Sequence, residues 1–279
     1  MRVGLITAEP GHPLLAAATS LLRAAGHRVE AVDPWAARDA TAEPADVYLL
    51  KSRTPDALAL ARALERLGAP VVNSAAATAR CQDRTAMAER AAAAGLPFAA
   101  TRTFATLSGL ARDSRTAGPV VVKSRHSRRH DLVARADDGA RLRELAAAWP
   151  EEPVVVQDFA PNDGWDHKLW AIGDRVFAAL RRSELSPGGR GPTRPLDPES
   201  LLPGRTALVR RVGEVFALDV YGVDIVETTG GTPLIVDINA FPGVRGQRDA
   251  PAALVDLTLR AAARRLCRPG RSGAGGTAP

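Results

Sequence analysis

The stretch GVDIVETTGGTPLIVDINAFPGVRG, residues 222–246, gathers the side chains with most to offer chemically. Two apolar runs around TTGGT read as a β-hairpin with a Gly-containing turn. Side chains alternate along a strand, so Asp237 and Asn239 share one face, and pairing brings Asp224 of the first strand opposite them. Three hard oxygen donors then converge. Such a set suits magnesium, which takes carboxylates, substrate phosphates and several waters. The plainer alternative is three polar residues making turn bonds at strand ends. Against it, DIN directly follows the apolar run LIV, so these groups issue from a strand that should be buried, where a charge needs compensation.

A second constellation is DHKLWAIGDRVFAALRR, residues 166–182. As a hairpin turning at Gly173 and Asp174, it places Asp166 and Lys168 on one face and projects Arg181 from the partner strand toward the same point. Lysine is scarce: of 37 basic residues only Lys51, Lys123 and Lys168 are Lys. A compact point charge is not always replaceable by a planar guanidinium, which singles these three out. Lys123 ends the strand PVVVK; Lys51, Ser52 and Arg53 end another. A lone strand-end Lys is commonly a solvated charge.

The elements that must hold these groups follow from periodicity. VGLIT, RVEAV, DVYLL and PVVN read as strands, with helices at 14–25 and 55–67, giving a small open parallel sheet ending near Asn73. In such a sheet the loops after the strands, Glu9–His12 and Lys51–Thr54, face a crevice. An Ala-rich helix over 82–94 is stopped by Gly95 and Pro97. TRTF, PVVVK, DLVARA and PVVVQDF, with helices at 107–115 and 139–148, form an α+β unit. The two hairpins follow, with helices at 206–217 and 251–266. ELSPGGRGPTRPLDPESLLPG, residues 184–204, reads as a strand-breaking mobile loop near the site, and the Gly- and Ser-rich end as a frayed tail.

With 46% hydrophobic, 24% charged and 4% aromatic residues over 279 positions, the composition is that of a globular protein and excludes disorder or a fibre. The net charge of +6 is spread along helices that also carry acids. Without a recognisable motif or aromatic stacking platform, nucleic acid is not the expected partner; a small anion fits the sign. No apolar run reaches the ~20 residues a membrane span needs, and MRVGLITAEPGHP reads as a strand rather than a secretory signal. A cytoplasmic protein is expected, with Cys81 and Cys267 reduced and structural.

Taken together, these stretches resemble the ATP-grasp family over nearly the whole chain, from about Met1 to Leu266, most closely its RimK-like carboxylate-amine ligases. The resemblance implies an α/β and α+β ATP-grasp fold: an N-terminal parallel α/β subdomain (1–78), a small subdomain (79–156) and a large one with the metal site (157–267), the last two sandwiching ATP, and a disordered tail (268–279). It implies ATP and Mg2+ (or Mn2+) as cofactors, the metal on Asp224, Asp237 and Asn239. Arg84, in CQDRTAM where the family usually has Lys, and Lys123 would touch the phosphates. Gln157, Asp158, Phe159 and Ala160 would line the hinge that reads adenine. Asp166 and Lys168 would face the γ-phosphate, and Arg181 and Arg182 would stabilise charge during transfer.

The expected reaction is activation of a carboxylate as an acyl phosphate and its capture by an amine. The acid, a small molecule or peptide that is itself anionic, would meet Lys51, Ser52, Arg53 and Arg245. A homo-oligomer is compatible with the sequence. DINAFPG and KSR also resemble inositol-phosphate kinases of the same fold, which keeps a kinase acting on a polyanionic alcohol as the second reading and a non-catalytic ATP-binding module as the third. One departure stands out. The loop after Lys123, KSRHSRRHDLV, lacks the Gly residues that usually close over ATP, so Arg125, Arg128, Arg129, His126 and His130 are expected either to cradle phosphate with side chains or to form a solvated basic loop.

Overall fold

A computed structural model describes residues 1–34, 41–113, 116, 118–128, 130–186, 189, 191–197, 199, 201 and 203–266. Cys267, Arg129 and the tail from 268 onward lie outside the described residues.

Strands β1 (Arg2–Ile6), β2 (Arg28–Val32), β3 (Val47–Leu50) and β4 (Val71–Val72) form a parallel sheet in the order β2-β1-β3-β4. Helices α1 (Pro13–Ala24) and α2 (Pro55–Arg66) cover its opposite faces, as a sheet made almost wholly of apolar residues requires. Both begin with Pro, whose missing N–H costs nothing there, and Thr54 caps α2 by accepting from Ala57 N at 3.3 Å. Gly4 is required by close approach: a Cβ there would fall 2.3 Å from the ring of Tyr48 on the neighbouring strand.

Short helices α3 (Ala75–Arg80) and α4 (Arg84–Ala93) lead to a second sheet, β5 (Thr101–Phe104), β6 (Val120–Ser124), β7 (Val133–Ala136) and β8 (Val154–Asp158), ordered β5-β8-β6-β7 and antiparallel throughout. Helices α5 (Leu107–Ala111) and α6 (Gly139–Ala148) close its core. The third sheet runs β11-β10-β9-β12-β13, from β9 (Asn162–Ile172), β10 (Arg175–Arg182), β11 (Thr193–Leu196), β12 (Val220–Thr228) and β13 (Pro233–Ala240). Helix α7 (Arg205–Phe216) packs on one of its faces. Helix α8 (Ala250–Leu266), together with α1, fills the space between its other face and the parallel sheet, joining Leu254 and Leu257 to Trp170, Val220, Val3 and Leu49 in one core. Among the described residues no helix is long and apolar enough to cross a membrane.

Some sequence expectations change. Part of the predicted loop is strand: Thr193–Leu196 pairs antiparallel with Ala178–Arg181 at the sheet's edge, where Pro195 is tolerated because an edge strand bonds on one side only. The helix expected over 107–115 ends at Ala111, with Arg112 as its cap. Helix α3 went unforeseen, although Ser74, accepting from Ala77 N, caps it in the usual way. Residues 79–99, grouped by sequence with the small subdomain, send Cys81, Met87, Ala91 and Leu96 into the core beneath the third sheet.

One buried side chain ties two sheets together. Asn73 follows β4, donates to Val220 O at 2.7 Å, and accepts from Asp219 N and Val220 N at 2.8 and 2.9 Å.

Candidate active site

The paired register sets Asp224 directly opposite Asp237, with Lys168 on the other side of Asp224. Asn239 lies two residues beyond Asp237 and its Nδ2 donates to Asp237 Oδ2 at 3.4 Å, so the amide oxygen stays available as a donor to a cation. Burial raises the Asp224 carboxyl above the usual carboxylate range, against the pull of Lys168. For Asp237 burial acts the same way but is outweighed by Arg84, Lys123 and Lys168, and the carboxyl is held below that range. Among the described residues no three His, Cys, Asp or Glu side chains gather as a metal cage. Two carboxylates and an amide oxygen are what a hard cation needs when phosphate oxygens and water complete its shell, so this donor set fits magnesium.

Fixed cations surround these acids. Lys168 Nζ lies 2.6 Å from Asp224 Oδ2 and 3.3 Å from Asp166 Oδ2. Arg181 reaches Asp166 at 3.5 Å, and its Nε is buried without a partner. Arg84 is buried; it bonds Asp131 at 2.6 Å and Ser124 O at 2.8 Å, stands 3.6 Å from Asp237, and also has an unpartnered Nε. Lys123 donates to Val236 O at 2.7 Å, and burial brings its pKa down to about 8.

Arg181 and Arg182 part company. Adjacent strand residues point to opposite faces, so Arg181 joins Asp166 and Lys168, whereas Arg182, opposite Trp165, is exposed and lies 5.6 Å from the Trp165 ring at the cavity rim. The same alternation explains His167, which faces away and lies 3.7 Å from Glu227.

A cavity of about 530 Å³, within the range of small-molecule sites, spans from this cluster to the small sheet. Gln157, Asp158, Phe159 and Ala160 line it, beside apolar walls from Val121, Val133, Leu234 and Val236. Gln157 Nε2 donates to Thr101 Oγ1 at 3.1 Å; Asp158 is exposed with Arg102 3.5 Å away; the Arg135 guanidinium stacks 3.8 Å from the Phe159 ring centre.

A neighbouring crevice of about 800 Å³ opens at the C-terminal ends of the parallel strands, lined by Lys51, Ser52, Arg53, Arg62, His12 and His126 among others. Burial first, then the charge of Arg53, lowers the Lys51 pKa to about 8. Burial and Lys51 likewise lower that of His12. Arg245 does not line this crevice; it borders an adjoining cavity that shares Glu9 and His12 with it.

The Gly-free loop is fastened to the protein. Arg125 makes a two-pronged contact with Asp83, the N-cap of α4, at 2.7 to 3.2 Å. Arg128 pairs with Glu152 at 2.7 Å, and Ser127 N donates to Gln82 O at 2.8 Å. Among the described side chains expected to cradle phosphate, Arg128 alone lines the cavity, and Arg125 is engaged elsewhere. Sequence reading missed Asp131, which neutralises Arg84, and Gln82, whose Nε2 donates to Arg53 O at 2.6 Å. Gln82 lies within CQDRTAM, where only Arg84 drew attention, and an acid following a basic run was the one hint at Asp131.

Residues 105–257 match the model of the RimK-like ATP-grasp domain. The chain is 27% identical over 255 residues to a probable alpha-L-glutamate ligase of Thioalkalivibrio sulfidiphilus, covering 80% of this chain and 82% of that protein. It is 26% identical over 220 residues to probable alpha-L-glutamate ligase 2 of Hahella chejuensis, covering 72% and 70%. Among solved structures it is similar to a RimK domain ATP-grasp protein from Sphaerobacter thermophilus, with 27% identity, a TM-score of 0.71 and coverage of 93% and 100%. D-alanine–D-alanine ligase from Bacillus anthracis shares the fold at 16% identity, with a TM-score of 0.75 over 95% and 99%.

Proposed function

The chain belongs to the RimK-like ATP-grasp family, and from that premise we propose that it is an ATP-dependent carboxylate-amine ligase whose nucleotide lies in the cavity between the 79–156 and 157–267 subdomains. The observation that carries this reading is the pairing of Asp224 with Asp237, with Asn239 beside them, at a cavity that also presents Lys123, Lys168 and Arg84. Relatives named as glutamate ligases favour ligation over phosphoryl transfer to an alcohol.

Magnesium (or manganese) held by Asp224, Asp237 and Asn239 would neutralise phosphate charge. Lys123 and Arg84 hold the α- and β-phosphates, and the slot between Gln157–Ala160 and the valine walls takes adenine. Asp166 fixes Lys168 and Arg181 at the phosphoryl end, where their charge stabilises what develops during transfer. Arg182, on the other face, contributes at the rim. In the first step a carboxylate oxygen of the acid bonds to the terminal phosphorus as the bond to ADP breaks. The amine nitrogen then attacks the acyl carbon, inorganic phosphate leaves with the C–O electron pair, and the amine gives up a proton. Positioning and electrostatics suffice, without an enzyme nucleophile.

The acid is anionic beyond its reacting group, a reading supported by Lys51 in the crevice and Arg245 beside it. Incubation with ATP, magnesium, L-glutamate and candidate acids tests the reading. ADP release that needs both a carboxylate and an amine is expected. Phosphate appearing on an alcohol, or nucleotide binding without turnover under every pairing, would refute it.

A further inference from the structure

The terminal phosphate of the nucleotide and the carboxylate it activates must meet where the nucleotide cavity and the acceptor crevice adjoin. Three residues line both spaces: Arg53, Ser127 and Arg128. Ser127 is neutral. Arg128 is already engaged by Glu152, at 2.7 Å in its ion pair. Arg53 has no carboxylate partner among the described residues, and it is half-buried at the junction.

Its backbone, by contrast, is pinned on both sides. Lys51 N and Ser52 N donate to Ile6 O at 3.1 and 3.0 Å, and Thr54 caps α2. Gln82 Nε2 holds Arg53 O at 2.6 Å, while Gln82 O accepts from Ser127 N at 2.8 Å. A fixed main chain carrying an uncompensated guanidinium is an arrangement made for an incoming anion, because the planar fork binds a carboxylate with two parallel hydrogen bonds.

Resting on the ligase reading, we propose that Arg53 is the catalytic residue that grips the carboxylate undergoing activation, and that Gln82 is the positioning residue that sets Arg53 against the loop bordering the nucleotide. The loop after Lys123 then acts as the shared wall of two sites, tied through Gln82 to the element that presents the acid. This gives the Gly-free sequence a physical purpose: a wall that positions a neighbour must hold its shape.

The test uses the full chain with MgATP, hydroxylamine as the amine, and a pool of L-amino acids, dicarboxylic acids and short acidic peptides as acids; hydroxamate reports the activated acid. ADP binding is measured in parallel by calorimetry. Arg53→Met should lower hydroxamate formation at limiting acid by about 100-fold while ADP affinity stays within about twofold, which also shows the variant is folded. Arg53→Lys, retaining charge without the fork, should recover part of the loss. Gln82→Leu should raise the acid's KM about tenfold with little change in kcat or ADP affinity, a split that loss of stability alone would not produce. Wild-type hydroxamate yield from Arg53→Met, or weakened ADP binding by folded Arg53→Lys, would overturn the assignment. Silence of the wild-type protein toward every acid would bring down the ligase reading itself, before any variant is considered.

Discussion

The cavity proposed for the nucleotide and the crevice proposed for the acceptor acid are both rich in cations, yet they treat them differently. Around the paired acids of the cavity the cations have fixed partners: Lys168 holds Asp224 and Asp166, Arg84 holds Asp131, Lys123 caps the Val236 carbonyl, and Arg181 meets Asp166 beside them. In and beside the crevice, Lys51, Arg53, Arg62 and Arg245 have no carboxylate partner among the described residues. Pre-paired charges keep their geometry and need little reorganisation when an unvarying substrate arrives. These charges repel one another, Glu9 offsets that of Lys51 only in part, and an incoming anion relieves them further, so they leave selection to the ligand. On the proposed function, the contrast separates a site built for one nucleotide from a site tuned to a particular acid.

The largest effect should come from the paired side. Asp237→Ala or Asn239→Ala should cut metal-dependent turnover by about a thousandfold or more with the circular dichroism spectrum intact; normal turnover in either would remove the metal assignment. Next in size is the link between the regions. Asn73→Ala leaves the Asp219 and Val220 N–H groups without their side-chain acceptor, while Val220 O keeps its bond from Phe241 N, and urea denaturation should show a loss of about 2–3 kcal/mol.

The crevice should betray itself through pH. Burial and Arg53 place the Lys51 pKa at about 8, below that of an unfolded lysine. Its charge is therefore present below pH 8 and lost as pH rises through that value, and the KM of the anionic substrate should climb about tenfold by one to two pH units higher. Lys51→Arg should flatten that limb; a limb that persists unchanged would acquit Lys51. Over the same interval the unfolded chain holds the proton that the folded one has released, so this residue makes stability rise with pH. The smallest change belongs to Arg125→Met. Its side chain is committed to Asp83 in a partly exposed pair that does not line the cavity, so ADP affinity should shift less than about twofold. A large loss would restore the loop as a phosphate cradle.

Much of this was legible in the chain itself. Alternation along strands and the Gly-containing turns placed Asp224 against Asp237 and Asn239, and Asp166 beside Lys168 and Arg181, as the register bears out. The same rule applied to neighbours would have separated Arg181 from Arg182; here the signal was present and unused. The edge strand Thr193–Leu196 was obscured because Gly and Pro mark breakers in a central strand but are admitted at an edge, and position within a sheet is not a local property.

Local periodicity, being a matter of a few consecutive bonds, was enough to define the strands, the hairpins and the acids that share a face. What it could not reach were meetings across long separations: Arg84 with Asp131, Gln82 with Arg53, Asn73 with Val220, and Arg53 at the junction of two cavities. Those depend on how three sheets and α8 stack, because a side chain's partner is decided by whichever surface packing brings within about 3 Å, whatever its place in the chain.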